Sequence, residues 1–191
     1  GSPSGNPVST APPLDTNNDG FSGGAEDQYI ELYNRSEAGV NLKGWYMRTQ
    51  DGFGSFGIHS FRSNKIIPAR GFLTVWGAGN PKGFGTQFDV ATNRRTSNFD
   101  TYLDLKLSYP GASSTSAPGT KVTLFDPSGR TVDVAGYGTT FGTQAQLGYG
   151  YGVTYNYNGS VARFPDGTRG THLIAAASTL NYTPNRANPV P

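Results

Sequence analysis

The tightest constraint on this fold is a rhythm of two. Short runs alternate apolar and polar residues, and glycine, proline and asparagine cut them apart. Tyr102-Leu-Asp-Leu-Lys-Leu107 puts Leu103, Leu105 and Leu107 on one side of an extended chain, because successive strand side chains point to opposite faces. Gln28–Asn34 repeats the pattern, with Ile30 and Leu32 on one face and Tyr29, Glu31 and Tyr33 on the other. No run carries the spacing of an amphipathic helix of normal length, and no segment repeats. With 27 glycines and 13 prolines to supply the breaks, the expectation is an all-β chain rich in turns.

The clearest hairpin is Lys121–Phe125, Asp126-Pro-Ser-Gly129, then Arg130–Val134, whose turn residues suit a tight connection. Val40–Met47 reads as one strand, with Gly44 marking a bulge or a close backbone approach and Trp45 as a core aromatic packed near Leu32 and Trp76. Phe53–Phe61 reads as a weaker strand, Ile66–Gly71 as a turn, and Phe72–Trp76 as a buried strand. Residues 77–101 form a long Gly/Asn/Thr-rich stretch with one strand around Phe88–Val90; loops of that length are uncommon unless they carry function. Pro110–Gly119 is a loop, Val161–Thr168 a strand end and turn, and Leu173–Leu180 a short apolar run. Gly1-Ser2 resembles a cleavage remnant, and residues 1–13 read as a Pro-rich linker ahead of one domain over 14–191.

Composition narrows the function classes. The chain carries no cysteine, which excludes a disulfide framework and thiolate metal sites. No apolar run approaches the length of a membrane-spanning helix, so no membrane insertion is expected. Net charge is +2 with the cations scattered, which is not by itself a nucleic-acid footprint. Glycine-rich phosphate loops, nucleophile elbows and cysteine nucleophiles are all missing from the sequence.

One stretch does carry chemistry. Asp15-Thr-Asn-Asn-Asp-Gly-Phe-Ser-Gly-Gly-Ala-Glu26 fits the spacing D-x-[DN]-x-[DN]-G-x5-E, which converges oxygens on Ca²⁺. Asp15, Asn17 and Asp19 offer side-chain oxygens from alternate positions, Phe21 a backbone carbonyl, Glu26 a bidentate carboxylate, and Gly20 the sharp turn. The flanks are wrong for an EF-hand: Pro12-Pro13 precedes the loop and an alternating strand follows it. The bland alternative is an ordinary Asn/Asp/Gly turn before a strand; the full twelve-residue spacing favours the metal.

Several segments, in this order, resemble the lamin-tail domain family: Tyr29-Ile-Glu-Leu-Tyr-Asn34, Val40-Asn-Leu-Lys-Gly-Trp45, Ile67-Pro-Ala-Arg-Gly-Phe-Leu-Thr-Val75, Val122-Thr-Leu-Phe-Asp-Pro-Ser-Gly129, Val132–Gly138, Arg163-Phe-Pro-Asp-Gly167 and Thr183-Pro-Asn-Arg-Ala187. The resemblance spans roughly residues 26–187. It implies an immunoglobulin-like β-sandwich, here with long loop insertions at 77–101 and 138–160. Bacterial members resemble accessory domains of secreted or surface proteins, and many carry an Asp/Asn/Gly-rich segment before the first strand.

The remaining constellations are weaker. Tyr149, Tyr151, Tyr155 and Tyr157 share one face of an extended chain and suit sugar rings or bases; packing into the core is the favoured alternative. Arg94-Arg95 suits phosphate, with a solvated loop favoured. Glu26, Asp27 and Glu31 form an acidic group, with Glu31 read as a solvated strand residue rather than an outer calcium ligand. His59 and His172 lie far apart in sequence and are not expected to hold a metal. The expected function is a non-catalytic, calcium-stabilised binding or assembly module of a secreted or cell-surface bacterial protein, placed extracellular, at the cell surface or in the periplasm. Its ligand would be a protein, a glycan or DNA. The alternative is a nucleic-acid-binding accessory domain associated with extracellular nucleases or other DNA-handling proteins.

Overall fold

A computed structural model describes residues 15, 17–21, 29–51, 56–91, 120–137, 160–163 and 172–175. The elements in chain order are β1 (Tyr29–Tyr33), β2 (Val40–Asn41), β3 (Tyr46–Asp51), β4 (Phe56–Ser60), β5 (Ile66–Ile67), β6 (Phe72–Trp76), β7 (Phe88–Val90), β8 (Thr120–Phe125), β9 (Thr131–Tyr137), β10 (Ser160–Arg163) and β11 (His172–Ala175). No helix occurs among the described residues. The alternating runs become strands because their apolar faces need a partner sheet, and two sheets supply it.

One sheet has the order β1-β6-β7, with β1 antiparallel and β7 parallel to β6. The other runs β4-β3-β8-β9, antiparallel throughout. Leu73 and Val75 of β6, Met47 of β3, Ile67 of β5, Leu42, Phe61 and Ala91 form the buried core, flanked by Ile30, Leu32, Val40, Trp45 and Leu124. Both sheets feed it, which makes this a β-sandwich. β2 and β5 pair as a short ribbon, and β10 pairs antiparallel with β11.

Strand β1 places Ile30 and Leu32 opposite Val75 and Leu73, on the core side. Both faces of β6 are buried. Thr74 and Trp76 turn away from that core, and Trp76 meets Tyr29 and Phe84 at ring separations of 5.1 and 5.2 Å. The segment after β6 therefore covers the sheet's second face.

Three expectations are corrected here. Val40–Met47 is not one strand. Gly44 adopts φ +83°, a left-handed turn that favours glycine, and the chain leaves β2 to enter β3 in a different sheet. Trp45 follows that turn and is only half-buried at the core's margin; the fully buried tryptophan is Trp76. Ile66-Ile67, expected within a turn, forms β5 before the turn at Pro68–Gly71.

The hairpin of β8 and β9 forms as expected. The Asp126 carboxylate accepts from the Ser128 and Arg130 amides at 2.9 and 3.0 Å and from the Arg130 guanidinium at 3.0 Å, which closes the turn. Asn34, at the end of β1, is buried, and its Nδ2 lies 2.7 Å from the Ala38 carbonyl and 2.9 Å from that of Pro68. It ties two turns together, a role that needs a carboxamide donor with a short stem.

Candidate functional site

The loop before β1 folds around its own backbone amides. Asp15 Oδ1 accepts from the Asp19 amide at 3.1 Å and its Oδ2 from the Gly20 amide at 2.9 Å. Asn17 Oδ1 accepts from the same Asp19 amide at 3.0 Å, and Asp19 Oδ1 from the Phe21 amide at 2.9 Å. Short side chains that reach back to nearby amides make such turns. Asn18 and Gly20 take φ of +57° and +99°, which asparagine and glycine tolerate best.

This arrangement gathers oxygens. Asp15 Oδ1 and Asn17 Oδ1 sit on one amide, so they are held side by side, and Asp19 Oδ1 is held at the Phe21 amide. Each oxygen retains a lone pair after accepting its amide hydrogen. The set is hard, anionic and oxygen-only, which suits Ca²⁺. Glu26 lies outside the described residues. Among the described residues no three His, Asp or Glu side chains gather into a metal cluster; the loop offers two carboxylates and one carboxamide.

The loop is also docked. Asn17 is 0% exposed and Asp19 9% exposed. Asn17 Nδ2 donates to the Ala78 carbonyl at 3.4 Å, and Asp19 Oδ2 accepts from the Asn80 amide at 2.9 Å. The Lys82 amide donates to the Asn17 carbonyl at 2.9 Å, and Lys82 Nζ to the Asp19 carbonyl at 3.2 Å. The Asn80 amide holds the Asp19 carboxyl below the usual carboxylate range, against the opposing pull of burial. Phe21, in contrast, stands 72% exposed.

Residues 13–139 match the Lamin Tail Domain family. The chain belongs to that family. Lamin Tail Domains are non-enzymatic, immunoglobulin-like modules, and the sandwich described above has that character. The match takes in Asp15–Glu26 and stops short of the Arg163 and Thr183 segments of the sequence resemblance. No curated protein matches the chain.

Beyond the loop, the sequence-predicted residues of this Lamin Tail Domain divide. Tyr149, Tyr151, Tyr155, Tyr157, Arg94 and Arg95 lie outside the described residues, as do Glu26, Asp27 and the Leu103–Leu107 run. Glu31 is half-buried in β1 opposite Thr74 rather than a solvated strand residue. His59 is 3% exposed on β4 and reaches across the sandwich, with Nε2 3.4 Å from Asp89 Oδ2 of β7. That is ion-pair distance, and among the described residues neither ring nitrogen has a hydrogen-bond partner within normal geometry. Burial opposes a charged Asp89; His59 and the Lys65 ammonium, 3.8 Å away, outweigh it and hold the carboxyl below its ordinary range. Lys65 Nζ also donates to the Phe88 carbonyl at 2.6 Å. The Asp89 carboxylate is thus already paired by the Lys65 ammonium.

Sequence reasoning missed Ala78, Gly79, Asn80 and Lys82. They lie about sixty positions from the loop they hold. Gly77-Ala-Gly-Asn-Pro-Lys82 reads locally as a turn and nothing more.

Proposed function

We propose that this Lamin Tail Domain is a non-catalytic binding or assembly module whose first loop takes one calcium ion. Asp15, Asn17, Asp19 and Glu26 would ligate it through side-chain oxygens, with the Phe21 carbonyl. The observation that carries the reading is the convergence of Asp15 Oδ1 and Asn17 Oδ1 on the Asp19 amide, with Asp19 Oδ1 held at the Phe21 amide. Carboxylates crowded together repel, and a divalent cation relieves that repulsion. The ion would supply charge neutralisation and a tether for the loop; binding to partners falls to the protein's own surfaces.

The sequence flanks, Pro12-Pro13 before the loop and an alternating strand after it, are not those of a paired-helix calcium sensor, so a structural role fits better than a switch. Its affinity belongs with extracellular modules, at about 10⁻⁴–10⁻³ M. Such a site fills outside the cytoplasm, which supports placing the domain on a secreted or surface protein. Titration calorimetry with calcium tests the reading. One ion per chain is expected, with binding lost in Asp15→Ala combined with Glu26→Ala. Absence of heat, together with no bound metal by elemental analysis, leaves the loop an ordinary turn.

A further inference from the structure

We propose that the turn after β6, residues 78–82, is the second half of the calcium site and that Gly79 is its positioning residue. The inference rests on the calcium reading and goes beyond it. It assigns a role in metal binding to residues that donate no ligand.

A carboxamide has two unlike ends, and only its oxygen can face a cation. Asn17 resolves that choice in the fold. Its Nδ2 is turned into the domain, onto the Ala78 carbonyl, and its Oδ1 stays with the loop. Asp19 is divided in the same way: Oδ2 goes to the Asn80 amide, and Oδ1 stays with the loop at the Phe21 amide. In both residues the turn takes the end that a metal would not use. Groups that orient the ligands of a metal are as much a part of the site as the ligands.

Gly79 makes the arrangement possible. Its φ of +86° is in the left-handed region. A Cβ there would run into Asp19 Oδ2 and come within 2.6 Å of Asn17 Nδ2, so only glycine lets both side chains lie against the turn. Lys82 completes the seat by fastening the backbone of Asn17 and Asp19. The seat is engaged by the protein alone, so an arriving ion meets ligands already aimed, and less ordering is left for binding to drive.

Terbium(III) bound to the full chain provides the test, with calcium as competitor. Luminescence lifetimes in H₂O and D₂O count the waters on the ion. Relative to the unmodified chain, Gly79→Ala should weaken calcium competition by about tenfold or more and add about one coordinated water as Asp19 or Asn17 withdraws. Asn80→Pro, which deletes the amide on Asp19 Oδ2, should move both readouts the same way by less, and it carries the test if Gly79→Ala fails to fold. Affinity within twofold and an unchanged water count in both variants would overturn the proposal. So would lower melting temperatures with an unchanged water count, the mark of a seat that serves folding alone. An unmodified chain that takes up no terbium would overturn the calcium reading itself, and this inference with it.

Discussion

Two of the regions that bury polar side chains satisfy them differently. At the loop, Asn17 and Asp19 are buried with both ends of each side chain hydrogen-bonded. In the interior, Thr49 Oγ1, both nitrogens of His59 and Trp76 Nε1 are buried without a hydrogen-bond partner among the described residues. An unsatisfied buried polar atom costs about 1–3 kcal/mol. The interior tolerates that cost because the same side chains pack well. His59 stands edge-on to Phe61 at 4.7 Å, and Trp76 fills the space between Tyr29 and Phe84. Nothing comparable explains the loop, whose buried side chains are small and polar. Their burial achieves position rather than packing. The loop is built to hold oxygens in place, whereas the interior is built to fill space.

That contrast breaks first at Gly79. Gly79→Ala combines a left-handed backbone with a clash into two side chains, and should cost about 3 kcal/mol in urea unfolding. A loss below about 0.5 kcal/mol would mean that the loop does not rest on this turn. Next comes Asn17→Leu, which keeps the volume but strands the Ala78 carbonyl. Chemical denaturation should register about 2 kcal/mol; a neutral result would place Asn17 with the tolerated interior groups.

These expectations stand on contacts that no local reading of the chain displays. The hairpin of β8 and β9 was legible because Asp126, Ser128, Gly129 and Arg130 complete the turn among themselves. The core face of β1 was legible because a period of two fixes it. Gly44 was legible as a special position, yet a lone glycine does not say whether a strand bulges or changes sheet, and here it changes sheet. Trp45 and Trp76 both lie in apolar strand-like runs, and the approach of Phe84 from the next segment helps to bury Trp76. The Asp15–Asp19 spacing was visible, while the Gly79 seat joins segments brought together by β1 pairing with β6.

Acid should act on both regions, more weakly than these substitutions. Asp19 and Asp89 both have carboxyls held below their ordinary range. A depressed carboxyl contributes stability in full above its unfolded value, near 3.9, and loses it as pH falls through the lower folded value. Stability should therefore hold through neutral pH and fall below about pH 4. Asp19→Asn should flatten part of that fall; identical acid profiles for the two proteins would remove Asp19 from the explanation.

The smallest effect is expected at His59. His59→Leu removes two unpartnered nitrogens at similar volume and leaves Lys65 to face Asp89, so stability should move by less than about 1 kcal/mol in either direction. A loss above about 3 kcal/mol in denaturant melts would show that the imidazole holds the two sheets together and that the two regions are alike after all.

The central claim is that the loop's satisfied oxygens await a cation, and thermal melting with calcium against chelator tests it most directly. At a free concentration of ten times the dissociation constant, one site adds about 1.4 kcal/mol, which is a rise of roughly 3–5 °C for a chain of this size. The unmodified domain should show that rise, and Asp15→Ala combined with Asp19→Ala should show none. Identical melting temperatures for both proteins in calcium and in chelator would contradict the account.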